Sequence, residues 1–159
     1  MKINTTLLKQ MSLFSIMLGL GIGLITSIPI IGSFVFILYF LTFAGCLIVY
    51  LKRNNIIGEL TVKEGAILGA VIGLTSFLGF CVTFMPITII KGFVVNNFLG
   101  NIIINGFTNP LMFVTLLFFI VLCSLLSALM NCFSGGVTAY IYEVLKTLNE
   151  ENNEKFTLK

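Results

Sequence analysis

The chain has no histidine, no tryptophan and no aspartate, and its 159 residues hold only nine basic and six acidic side chains. Each absence excludes something. Without histidine the commonest neutral-pH base and metal ligand is missing. The four cysteines, Cys46, Cys81, Cys123 and Cys132, have no CxxC spacing, so they read as small apolar residues rather than a metal or redox site. No metal, cofactor or nucleic-acid partner is expected.

Scarcity of charge excludes a soluble fold. Charged residues make up 9% and hydrophobic residues 58%, with a mean hydropathy of +1.11; soluble domains carry roughly 25% charge. Charge-free runs cover 10–51, 65–90 and 92–142, and about 20 apolar residues suffice for one helix across a bilayer. The chain therefore reads as an all-α membrane protein whose partner is the lipid bilayer.

The breaks within those runs count the spans. "TSIPIIGS" interrupts the first run, where Pro29 removes a backbone donor and Gly32 with Ser33 can turn the chain, predicting helices near 10–28 and 33–51. "TVKE" gives Thr61 and Glu64 capping-box spacing, so a third helix should start there and run over about 62–85. In "NNFLGNIIINGFTN", Asn97, Asn101, Asn105 and Asn109 recur every fourth residue, a polar stripe suited to an amphipathic helix lying in the membrane interface. Asn109-Pro110 then opens a fourth span over 110–142. That span is too long for the roughly 30 Å hydrocarbon core, so it must tilt, protrude or break near Gly135-Gly136. The outcome is one transmembrane domain over 1–148, two hairpins of helices, followed by a polar cytoplasmic tail at 149–159.

Eight of the nine basic residues fall on one side of this topology, and only Lys91 lies opposite. The positive-inside rule makes that side cytoplasmic and places both termini there. Tyr50, Tyr140 and Tyr142 sit at the same boundary, though without tryptophan the aromatic belt is thin. "LGLGIGL" at 18–24 and "LGAVIGL" at 68–74 share five positions, and a tandem repeat of two hairpins would explain the echo.

In "EGAILGAVIGLTSFLG", Gly65, Gly69 and Gly73 recur every fourth residue, and Gly19 and Gly23 repeat the spacing on the first helix. Apolar helices in lipid associate by close approach, so these glycines read as helix-packing faces rather than a ligand cradle. The "GxGxG" of the first helix lacks the strand and βαβ context of a nucleotide site. Ser124, Ser127 and Asn131 on the last span, together with Asn97, Asn101 and Asn105, are the candidates for a polar path.

Pro29 in a short turn, the Gly45-to-Tyr50 end of the second helix and "EGAILGAVIG" opening the third resemble small bacterial four-helix membrane proteins classed as domains of unknown function, mainly over residues 18–76. The resemblance implies a bacterial inner-membrane setting and no activity. Intramembrane catalysis needs a positioned nucleophile with a base, or a metal, and the spans supply neither. Three functions remain open: a non-enzymatic protein assembling with itself, as a homo-oligomer, or with a membrane partner through its glycine faces; a passive channel or small-solute facilitator; and, with the least support, an intramembrane enzyme.

Overall fold

The computed structural model describes residues 5–28, 30–54, 56–58, 60–95 and 98–157. Pro29 and Asn97, invoked above for the first turn and the polar stripe, lie outside the described residues. Five helices follow in order: α1 Thr5–Thr26, α2 Ile31–Arg53, α3 Val62–Val95, α4 Phe98–Thr108 and α5 Pro110–Thr157. Four of them are long and apolar enough to cross a membrane, over Leu8–Thr26, Ile31–Arg53, Val62–Val94 and Pro110–Leu148. The protein is an all-α multi-pass membrane protein, with α4 as a short helix between the third and fourth spans.

Two helices exceed their expected lengths. α3 does not stop near Phe84–Pro86 but runs through Pro86 to Val95. A proline inside a helix removes one hydrogen bond and costs about 3 kcal/mol alone. The next turns recover this by packing: Thr88 and Gly92 are buried, and Gly92 lies directly against Gly100 of α4. α5 does not break at Gly135-Gly136 and continues unbroken through the acidic tail to Thr157. At 48 residues it is about 72 Å long, so it extends well beyond any bilayer.

α3 starts as its sequence predicts. Thr61 Oγ1 accepts from the Glu64 N–H at 3.3 Å, and Glu64 Oε2 accepts from the Thr61 N–H at 3.1 Å, which satisfies two donors that an isolated helix start leaves open. At the α1–α2 turn Ile30 takes φ 70°, a left-handed backbone that costs a non-glycine residue roughly 1 to 2 kcal/mol. Gly32 follows, with its α-carbon so close to the Thr26 carbonyl that a side chain there would overlap it.

The glycine faces set the bundle. α1 runs parallel to α3, with Gly19 against Ser76 and Gly23 against Phe80 and Thr83, while Gly79 returns the contact on Ile16. α3 runs antiparallel to α5, with Gly65 against Gly135 and Ala139, Gly69 against Asn131, and Gly73 against Ser127 and Asn131. α2 meets α5 through Ala44, Gly45 and Ile48. The central helix is thus α3, and α1 packs more extensively on it than on α2, its own hairpin partner. The echoing glycines are not in equivalent places: Gly19 faces α3, whereas its counterpart Gly69 faces α5.

These directions place the α2–α3 connection and the C-terminal part of α5 at one end of the bundle, the basic end, where Lys52 stacks 4.5 Å from the Tyr142 ring centroid. The α1–α2 turn and α4 occupy the other end.

Candidate functional site

Two features stand out, a polar network in the middle of the bundle and an apolar cleft beside it. The network is centred on Asn131, which is 0% exposed. Its Oδ1 accepts from the Ala44 backbone N–H at 2.8 Å, while its Nδ2 donates to the Phe40 carbonyl at 3.4 Å. Phe40 and Ala44 are four residues apart, the two ends of one helical rung, so the Asn131 carboxamide sits astride a turn of α2. Nδ2 also donates to the Ser127 carbonyl at 2.9 Å, and one turn on, Ser134 Oγ accepts from the Gly45 N–H at 3.2 Å.

Ser127, also 0% exposed, donates to the Gly73 carbonyl of α3 at 3.1 Å. That carbonyl also accepts from Ser76 Oγ at 3.3 Å, and Ser76 Oγ accepts from the Tyr39 hydroxyl at 2.9 Å. The result is a closed loop through α2, α3 and α5 built from Tyr39, Ser76, Ser127 and Asn131. Among the described residues no buried side-chain nitrogen or oxygen lacks a hydrogen-bond partner. Each buried polar side-chain atom of the network thus has a partner, and the bonds between Asn131 and α2, Ser127 and α3, and Tyr39 and Ser76 tie three helices together.

This separates the residues grouped as a polar path. Ser127 and Asn131 do come together, and Ser124 spends its hydroxyl on the Val121 carbonyl of its own helix. Asn101 and Asn105 are on α4, which reaches α3 at Thr88 and Gly92. From Gly73 to Thr88 α3 rises about 22 Å, so the two groups do not meet. Asn105 is exposed, Asn101 is half-buried, and the buried positions of α4 are Gly100, Ile103 and Gly106.

The cleft has a volume of about 580 Å³, open along one side, within the roughly 300 to 1,000 Å³ of ligand pockets. α2 and α5 are tied together at Asn131 and Ser134 and form separate walls toward the α4 end. Ser33, Phe36 and Ile37 line one wall, and Leu116, Phe119, Ile120 and Cys123 the other. α3 supplies the floor. There Phe77, Phe80 and Phe84 stack in a row, with ring centroids 5.7 and 4.9 Å apart, and Phe36 packs 5.5 Å from Phe80. Leu99, Ile102 and Ile103 of α4 complete the lining, and Thr26 of α1 joins Gly32 and Ser33 in it. Apart from Thr26, Ser33 and two thiols the lining is apolar, so the cleft can hold hydrocarbon and has no catalytic set.

Sequence reasoning did not single out Tyr39, Ser76, Thr83 or the cleft. Thr83 donates to the Leu20 carbonyl across the α1–α3 seam at 2.9 Å. Its only signal was a hydroxyl one turn past Gly79. The cleft had none, because its phenylalanines look like any lipid-facing residues until two helices diverge around them. No group of three or more His, Cys, Asp or Glu side chains able to hold a metal occurs among the described residues. Compared with protein families, with curated proteins and with solved structures, the chain matches none.

Proposed function

We propose that this chain is a non-enzymatic protein of a bacterial inner membrane, with both termini on the cytoplasmic side, that takes an apolar chain from the bilayer into the cleft between α2 and α5. The observation that carries the reading is that cleft: a concave, partly open, aromatic-floored and largely apolar surface among four helices long and apolar enough to cross a membrane. The cytoplasmic placement rests on eight of nine cations at one end. The non-enzymatic part rests on a sequence without histidine or aspartate and on Glu64 serving the α3 cap.

Gly19, Gly23, Gly65, Gly69 and Gly73 bear on assembly differently from their spacing. Each faces another helix of its own chain, so a homo-oligomer or a membrane partner would have to meet the protein elsewhere. Ser127 and Asn131 are 0% exposed and bond to the neighbouring helices, which supports a packing role for them over a passive path.

The test is photolabelling in liposomes of phosphatidylcholine carrying a diazirine in one acyl chain. Adducts should concentrate on Phe77, Phe84 and Phe119 over Leu125, Leu129 and Phe133, which are exposed on α5. Ile120→Trp, which fills the cleft, should remove the first set and spare the second. Equal labelling of both sets, unchanged by Ile120→Trp, would overturn the proposal.

A further inference from the structure

We infer that the occupant of the cleft is an anionic phospholipid, with one acyl chain between α2 and α5 and its phosphate at Lys91. This rests on the cleft reading above and adds the headgroup.

Among the described residues Lys91 is the one cation at the α4 end, and the acidic side chains lie in the first turn of α3 or the C-terminal part of α5. Among the described residues no carboxylate therefore neutralises it where it stands. Lys91 is half-buried, and a partly desolvated ammonium without an anion is costly. Its position relative to the cleft follows from two independent observations. Spacing of seven residues puts Lys91 on the face of α3 that carries Phe77 and Phe84, two turns beyond Phe84. Its Nζ also donates to the Ser27 carbonyl at the end of α1, next to Thr26, which lines the cleft. An ammonium has three donors, and this bond uses one.

Depth agrees with that placement. Phe77 lies near the middle of α3, Val62–Val95, and from Phe77 to Lys91 the helix rises about 21 Å. Half of a bilayer including its headgroups is roughly 20 to 22 Å. With Phe77 near the midplane, Lys91 stands at the level of lipid phosphate. The cleft then spans the acyl region of the same leaflet, and Thr26 and Ser33, the two hydroxyls of its lining, stand toward the headgroup end. An apolar partner helix would fill the cleft equally well but gives Lys91 no counter-ion, so the charge favours lipid.

The experiment compares phosphatidylglycerol and phosphatidylcholine bearing the same acyl diazirine, each at low fraction in phosphatidylcholine liposomes. Phosphatidylglycerol should label Phe77, Phe84 and Phe119 several-fold more than phosphatidylcholine does. Lys91→Gln should abolish that preference while cleft labelling by phosphatidylcholine persists, which shows the variant folded, and Lys91→Arg should restore it. Equal labelling by both lipids, insensitive to Lys91→Gln, overturns the headgroup assignment and leaves the cleft reading standing. A cleft that neither lipid labels overturns both, and is the result expected if a protein helix occupies it.

Discussion

Gly69→Ala should remove most of the folded yield, whereas Gly21→Ala should leave it intact. A methyl group at Gly69 would overlap the Asn131 carbonyl oxygen and lie 2.9 Å from its carbonyl carbon and 3.2 Å from the Cys132 α-carbon. All three are backbone atoms, so no rotamer change can make room. α3 and α5 must separate, and separation also loosens the Ser127 bond to Gly73 and the contact between Gly65 and Gly135. Alanine gains about 1 kcal/mol over glycine in helix propensity, while overpacking costs roughly 1 to 3 kcal/mol or more, so the clash wins. At Gly21 an added Cβ would meet nothing within 4 Å, leaving only the propensity gain. The monodisperse fraction after detergent extraction and the midpoint of thermal unfolding measure both variants. Equal tolerance would mean that the α3–α5 seam is not close-packed.

Asn131→Leu should destabilise the bundle by about 2 kcal/mol, and Ser127→Ala by less than 1 kcal/mol. An interhelical hydrogen bond in a membrane is worth about 0.6 kcal/mol on average, and Ser127 makes one such bond as donor. Asn131 makes two across to α2, at Ala44 and Phe40, and lies against Gly73, whose added Cβ would be 2.7 Å from the Asn131 Cβ. Leucine keeps the bulk but has no polar atoms, and its branched end must enter the space where Gly73 allows only a flat carboxamide. After the change Phe40 and Ala44 can still bond to each other, which limits the loss. Reversible unfolding in mixed micelles gives the values. If Asn131→Leu costs no more than Ser127→Ala, the carboxamide is a bystander and the α2–α5 seam is held by shape alone.

Composition alone determined that the protein crosses membranes, because no soluble fold can hide so apolar a surface. The number of spans and the start of α3 were also legible, since they depend on local events: a charge-free run, a turn, and a threonine three residues before a glutamate. The glycine spacing told that helices pack there, but not which helices. Gly19 and Gly69 occupy matching motifs and face different neighbours, because a face is local whereas its partner depends on how all the helices close around α3. The reach of α3 through Pro86 was likewise decided by α4, whose Gly100 packs against the turn beyond the proline. Asn131 was visible as a polar residue within a span, yet its partner was not, because helical backbone groups are normally satisfied four residues away and a sequence does not mark the rung that a side chain will straddle. The cleft is the furthest from the sequence. It exists because α2 and α5 are tied at one level and diverge at the next, and only the tertiary structure sets where two helices part.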